Sequence, residues 1–326
     1  MSPSANSQVL LLLCSRLGLP GNSDVAPLTL REWKPMRRKL LAASLEPADL
    51  VGRTAAELQR RLELSPDKAE RVVRLLERGE GLAKELERLA AMGIHPLTRA
   101  DPDYPVRYRQ RLKESAPIVL FYAGEKALLG QPGIAVVGSR RLEAAGQECA
   151  AFVGNACGLS GLVLYSGGAR GVDTISMQAA LEGRGSAVGI LADSLERAIR
   201  AHERRAALSR GDLCLATPYS PGAGFSVGAA MGRNRLIYTL ADYALVVASE
   251  AGKGGTWAGA SEALKNGWIP VFVLEHAQMP EGNPLLLERG ALPFPYPFPE
   301  PPSRLPAWLE AHASRPGSGP TQLGLF

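Results

Sequence analysis

From Ile134 onward the chain alternates between short apolar runs and longer stretches of helical spacing. The runs Ile134–Val137, Leu162–Tyr165, Ala187–Leu191, Leu213–Ala216, Ala244–Ala248 and Ile269–Leu274 are of strand length. Continuous apolar runs of that size mark strands covered on both faces. Between them, Leu142–Cys157 and residues 173–183, 194–208, 228–241 and 256–266 have helical spacing. Strands joined by crossover helices predict an α/β domain with a mostly parallel open sheet.

The first hundred residues have another rhythm. Ser65-Pro66-Asp67 reads as a helix start, with a serine cap, proline in the first turn and an acid beside it. Val72, Val73, Leu75 and Leu76 supply its apolar face, and Gly79 is the expected stop. Leu82, Leu86 and Leu89 then repeat at three and four residues, a stripe that packs against neighbouring helices. Prolines at 96, 102, 105, 117 and 132 make Ile94–Gly133 a connector with short extended pieces such as Ile118–Phe121. Near the other end, Pro293, Pro295, Pro297, Pro299, Pro301 and Pro302 predict a stiff stretch unsuited to a buried strand. Leu305–His312 has room for a short helix, and Ser314–Pro320 reads as a linker. The expected division is a helical accessory domain over 1–96, an α/β domain over 97–292 and a proline-rich linker and tail over 293–326.

Composition narrows the picture modestly. In 326 residues, 46% hydrophobic and 21% charged, the balance is that of an ordinary globular protein. A net charge of +5 permits a nucleic-acid partner without requiring one. Cys14, Cys149, Cys157 and Cys214, like the histidines at 95, 202, 276 and 312, lack metal-ligand spacing. No metal or cofactor is therefore expected. No apolar run reaches membrane-spanning length, and Val9–Cys14 lacks the basic flank of a signal peptide, so a cytoplasmic protein is expected.

The chemistry concentrates in three glycine-containing turns at the ends of expected strands, where open parallel sheets bind ligands. They are Gly138-Ser139-Arg140; Ser166 to Gly171, containing Gly167, Ala169 and Arg170; and Lys253-Gly254-Gly255-Thr256. Glycine permits close backbone approach, while hydroxyls, guanidiniums and helix N–H groups suit a phosphate. Glycines recur at many strand–helix junctions, and what sets these three turns apart is that they share one chemistry. Asp173 is placed to orient an arginine or cap its helix. Arg233, Asn234 and Arg235 enter another helix, with Asn234 suited to a base edge. Tyr165, Phe225, Tyr238 and Trp257 are candidate stacking rings. Basic clusters occur at Arg31, Lys34, Arg37, Arg38 and Lys39, and at Arg107, Arg109, Arg111 and Lys113. Neither a Walker loop nor a complete G-x-G-x-x-G is present, which argues against nucleotide binding of those kinds.

Three blocks, Ala135–Arg140, Ser166–Asp173 and Gly232–Ile237, together with the approach Leu97–Pro105, resemble the DNA-processing protein A family (DprA, also called Smf). The resemblance implies an extended Rossmann-like domain that binds single-stranded DNA, dimerises and helps load the RecA recombinase during transformation. It assigns the DNA backbone to Gly138, Ser139, Arg140, Ser166, Gly167, Ala169 and Arg170. It also sets Arg233, Asn234 and Arg235 beside that pocket, and makes the N-terminal region a small accessory domain of helix-hairpin-helix or SAM-like type. The chain departs from the family pattern at Gly168, where leucine is usual, at Met177 in place of histidine, and around Lys253–Gly259. No C-terminal winged helix is evident. Gln322, Leu323, Leu325 and Phe326 resemble the short peptide by which bacterial replication proteins bind the sliding clamp.

The resulting expectation is a cytoplasmic, non-catalytic protein of DNA recombination or repair whose rim grips single-stranded backbone. Two alternatives remain. One is a nucleotide or nucleoside-monophosphate hydrolase of the related phosphoribohydrolase superfamily, in which Glu262 falls outside the matching place for an acid. The other is a clamp-associated adaptor with a non-binding pocket.

Overall fold

The computed structural model describes residues 3–21 and 23–313. The clamp-peptide residues Gln322, Leu323, Leu325 and Phe326 lie outside them. The chain divides into two compact units, formed by the described residues of Met1–Lys126, Leu191–Ser209 and Cys214–Ala229, and by those of Ala127–Ile190, Arg210–Leu213 and Ala230–Phe326.

The first unit begins with five helices: α1 (Ala5–Cys14), α2 (Leu30–Ala42), α3 (Ala55–Leu62), α4 (Pro66–Leu76) and α5 (Gly79–Ala91). Thr29 with Glu32, and Thr54 with Glu57, form reciprocal capping boxes that set the starts of α2 and α3. Leu10 to Leu13, Leu40, Leu58, Leu62, Val72, Leu75, Leu82 and Leu89 are buried and form the core these helices share. Gly79 begins α5 rather than ending α4. Gly18 and Gly81 are kept small by a close approach: a Cβ on Gly18 would lie 2.5 Å from the Gly81 backbone, and one on Gly81 2.8 Å from Gly18 O. The proline-rich connector holds β1 (Ile94–Thr98), α6 (Val106–Leu112) and β2 (Val119–Gly124), with β1 and β2 antiparallel from Ile94↔Ala123 to Thr98↔Val119. Helix α6 was not legible as such. Its buried residues, Tyr108 and Leu112, are four apart on one face.

The second unit starts with β3 (Gly133–Gly138), α7 (Ala144–Ser160), β4 (Val163–Ser166), α8 (Val172–Glu182) and β5 (Ser186–Ile190). The expected helix over 194–208, which falls in the first unit, is two helices, α9 (Leu195–Ala198) and α10 (His202–Arg210), because Arg200 and Ala201 turn back onto the carbonyls of Arg197 and Ala198. Strand β6 (Leu213–Thr217) follows and pairs antiparallel with β2. The chain then runs through α11 (Val227–Leu240), β7 (Tyr243–Ala248), α12 (Gly254–Asn266), β8 (Val271–Glu275), α13 (Gly282–Glu288), β9 (Leu292–Pro295) and α14 (Leu305–Ala313).

Nine strands are hydrogen-bonded among the described residues. The second unit contributes the run β5-β4-β3-β7-β8-β9, parallel throughout. The protein is therefore α/β and Rossmann-like, with a mostly parallel sheet and an N-terminal helical region. The reading of the late proline stretch is corrected at β9, which pairs with β8 and buries Phe294. A strand at the end of the sheet bonds one neighbour, so prolines at alternate positions are tolerated there. No helix among the described residues is long and apolar enough to cross a membrane.

From β3 the chain winds through α7 to β4 and β5, while from β7 it winds the opposite way through α12 to β8 and β9. Right-handed crossovers then place α7–α8 and α12–α13 on opposite faces. The carboxyl ends of β3 and β7 are adjacent at the point where the winding reverses, the place at which open α/β sheets hold their ligands.

Candidate nucleic-acid interface

The first glycine turn leaves β3 at that reversal. Its backbone is pinned on one side by Ser139 N, which donates to Ala248 O at the end of β7 (2.9 Å). On the other side it abuts the second turn. A Cβ on Gly138 would lie 2.4 Å from Val172 Cγ2, and one on Gly171 would lie 2.4 Å from Ser139 O. Gly171 also has φ +85°, a region that glycine adopts without penalty. The Ser139 hydroxyl accepts from Arg141 N (3.2 Å) and keeps its own proton to donate. Arg140 is exposed beside it.

The second turn is held largely from within. Ser166 is fully buried and its hydroxyl donates to Val136 O (2.7 Å). Asp173 Oδ2 accepts from Gly167 N (3.1 Å) and Ala169 N (3.2 Å). Two N–H groups that suit a phosphate are thus occupied by the protein's own carboxylate, and they fix the loop's shape. Burial pushes the Asp173 carboxyl above its ordinary range, opposed chiefly by the Arg233 guanidinium. Arg170 stays exposed at the tip.

Helix α11 joins this turn to the third. Buried Arg233 lies over Gly167, where a Cβ would fall 1.3 Å from Nη1. One residue on, Asn234 Nδ2 would meet a Cβ on Gly255 at 2.5 Å, and Tyr238 Cε2 one on Gly259 at 2.7 Å. The small residues at the start of α12 thus admit α11 at close range. Lys253 occupies the cap position of α12 without a side-chain cap, so the first N–H groups of Gly254, Gly255 and Thr256 face outward at a 13-residue helix's positive end. Lys253 itself is exposed. Below the strand ends, Asn283 is buried, donating to Val247 O and Leu274 O (both 3.0 Å) and accepting from Ser249 N (2.9 Å). It ties β7 to β8 where the third turn begins.

The structure therefore brings Gly138, Ser139, Arg140, Gly167, Ala169, Arg170, Arg233, Asn234 and Lys253–Thr256 to one edge of the second unit. The exposed cations are Arg140, Arg170 and Lys253, while Arg233 is a buried strut. Arg235 is half-buried, its Nε enclosed without a hydrogen-bond partner among the described residues. Trp257 is half-buried under the Arg289 guanidinium, 4.5 Å from its ring centroid. Phe225 belongs to the first unit, where it is 52% exposed. The stacking candidates Tyr165 and Tyr238 are corrected: both are fully buried, and the Tyr165 hydroxyl lies within hydrogen-bond reach of Leu128 O and Gln131 O and donates to one of them. Glu262 is exposed two turns into α12, about 12 Å along the helix from its first residue. Asn283 was missed, because an isolated Gly-Asn-Pro carries no sign that its amide bridges two strands. Among the described residues no group of His, Cys, Asp and Glu could hold a metal ion.

An open, mostly parallel α/β sheet with glycine-rich turns and exposed cations at its winding reversal defines a Rossmann-like protein. Residues 95–295, well over half of the chain, match the model of the family DNA recombination-mediator protein A, and the chain belongs to that family. It is 30% identical over 182 residues to the DNA processing protein DprA of Streptococcus pneumoniae, covering 54% of this chain and 63% of that protein. A putative DprA of Mycobacterium tuberculosis is 31% identical over 182 residues, 52% of this chain and 46% of that one. The match thus spans less than two thirds of these relatives' length. Among solved structures, the S. pneumoniae DprA superposes with a TM-score of 0.58 at 22% identity, covering 82% of this chain and 94% of that one. DNA processing protein A of Helicobacter pylori, solved for its single-stranded DNA binding mode, gives 0.55 at 23% identity, over 67% and 97%. These two likenesses bear on the fold.

Proposed function

We propose that this protein binds single-stranded DNA through its phosphates at the rim, without sequence preference, and acts in recombination-linked DNA processing. The observation that carries the reading is the convergence of Arg140, Arg170, Lys253 and the uncapped start of α12 around the reversal point. Guanidiniums present fixed donors to phosphate oxygens, Lys253 adds a mobile charge, and the helix start supplies backbone N–H groups. Gly167 N and Ala169 N shape the loop through Asp173, so in this reading the ligand is held by side chains and by α12. Family membership and the single-stranded DNA binding of the H. pylori relative support the choice of partner.

A homodimer that hands a strand to RecA belongs to the same reading and is supported by the resemblance alone. Attachment to the sliding clamp through Gln322, Leu323, Leu325 and Phe326 is a further part of it, resting on sequence.

The test is a salt titration of binding to single-stranded DNA, duplex DNA and free nucleotides, using wild type and Arg140→Ala. Binding to single strands of varied sequence weakens about equally in the variant, with a salt slope smaller by roughly 0.7 for one lost phosphate. Unchanged affinity and slope for Arg140→Ala, Arg170→Ala and Lys253→Ala together would sink the proposal. Turnover of free nucleotide by the wild type would redirect it to a hydrolase.

A further inference from the structure

Several members of the basic clusters of the N-terminal region, which the rim leaves unused, come together in the first unit around the short strap of residues 113–118. Lys34 Nζ donates to Ser115 Oγ (3.2 Å), and Arg38 forks onto Glu114 (2.7 and 3.3 Å). These bonds fix the basic face of α2 against the strap. On its other side, Tyr104 Oη donates to Pro117 O (2.7 Å), and Arg99 N donates to Ile118 O (3.0 Å). The Arg109 guanidinium lies over the Tyr104 ring, 5.1 Å from its centroid, and bonds Asp101 O (2.7 Å). Three separate elements thus deliver Lys34, Arg37, Arg38, Arg99 and Arg109 to one surface.

The charge there is unbalanced. Glu114, the carboxylate facing these cations, is already engaged by Arg38. Asp101 spends its carboxylate on Ser7 Oγ and Thr98 N, and Asp103 pairs with Lys126. Arg99 is half-buried, and burial together with the guanidiniums of Arg37 and Arg109 holds it below the ordinary arginine range. Like charges held this close raise the free energy of the unliganded surface, and an anion lying across them relieves it.

We propose that this surface is a second contact for the sugar-phosphate backbone of a nucleic-acid strand, separate from the rim. It rests on the reading above for the class of partner, and it assigns residues that the rim does not contain. Guanidiniums from several elements match a row of phosphates. The rings of Tyr104 and Tyr108 are buried, so the surface offers charge and not a stacking platform or an aromatic anchor for a peptide.

The experiment uses the full chain and oligothymidylates of about 10 and about 40 nucleotides, since a short strand fills one site and a long one has length for both. Arg37 is exposed and makes no hydrogen bond or ion pair among the described residues, so Arg37→Glu tests the charge with the fold intact; Arg37→Lys is the rescue. Arg140→Ala with Arg170→Ala reports on the rim. The proposal expects Arg37→Glu to weaken long-strand binding roughly ten-fold and to lower its salt slope, with short-strand binding unchanged and Arg37→Lys near wild type. An unchanged long-strand affinity and slope in Arg37→Glu, while the rim variant loses binding, overturns the second contact and leaves the rim standing. Loss in Arg37→Glu with none in the rim variant supports this surface and defeats the rim. Capture of polyglutamate by wild type and not Arg37→Glu, with DNA binding equal in the two, overturns it in favour of an acidic peptide.

Discussion

Arg233 and Gly167 occupy nearly the same space: a methyl group at Gly167 would fall 1.3 Å from Arg233 Nη1. The glycine is therefore a seat for a buried guanidinium, beside the carboxylate that organises the second turn. Gly167→Ala forces Arg233 out of that seat and away from Asp173. Leaving a buried guanidinium without its compensating neighbour costs about 3–5 kcal/mol, and rearrangement of the long Arg233 side chain recovers some of it. A loss of about 2–4 kcal/mol in urea unfolding is expected, with weaker single-strand binding. Gly224→Ala, where a Cβ meets nothing within 4 Å, is the control and changes stability by less than about 0.5 kcal/mol. Equal stability of Gly167→Ala and wild type would show that Arg233 is not seated there.

Asn283 is the peg of the third turn. Its amide satisfies Val247 O, Leu274 O and Ser249 N at once, all buried. Asn283→Leu keeps the γ-branched shape, at somewhat greater volume, and strands all three groups. Each unsatisfied buried group costs about 1–3 kcal/mol, so a loss of at least about 3 kcal/mol is expected by thermal or chemical unfolding. Hydrogen exchange at Ser249 reports the local release. A variant as stable as wild type would mean that the strand ends are held by other contacts.

The parallel core was legible because Ile134–Val137, Ala187–Leu191 and Ala244–Ala248 are unbroken apolar runs, which a sheet covered on both faces demands. Strand β9 was not, since Pro293 and Pro295 read as breakers until the strand's place at the sheet end makes their missing N–H groups harmless. The glycine turns were visible as local chemistry. What binds them together was not: Arg233 on Gly167 and Asn234 against Gly255 are contacts between residues far apart in sequence, and no periodicity encodes them. The same limit misplaced Tyr165 and Tyr238, whose rings near the strand ends face inward.

Tyr165 separates core chemistry from ligand chemistry. Its hydroxyl donates to one of two carbonyls at 2.7 Å, Leu128 O and Gln131 O, tying the segment before β3 to β4. Tyr165→Phe preserves the ring and is expected to cost about 1–2 kcal/mol of stability. Single-strand affinity is expected to stay at the wild-type value, because the ring is buried. A specific drop in binding at unchanged stability would return Tyr165 to the list of stacking residues.

Glu32 gives the first unit a pH signature. It closes the capping box with Thr29 and pairs with Arg71 at 2.6 Å, and the Arg71 hydrogen bond is the main reason its carboxyl lies at about 2 instead of 4.5. A carboxyl lowered in the folded state stabilises fully above its unfolded value and loses that contribution as pH falls through the folded one. Both side chains are about one-third exposed, so solvent screening reduces the pair's contribution to about 1 kcal/mol near neutral pH. Glu32→Gln keeps an acceptor for the capping box and removes the charge. Its deficit against wild type is expected to be full at pH 7, to shrink below about pH 4.5 and to approach zero near pH 2. Urea midpoints for the two proteins across that range measure it. A deficit that stays constant with pH would assign the role of Glu32 to hydrogen bonding alone.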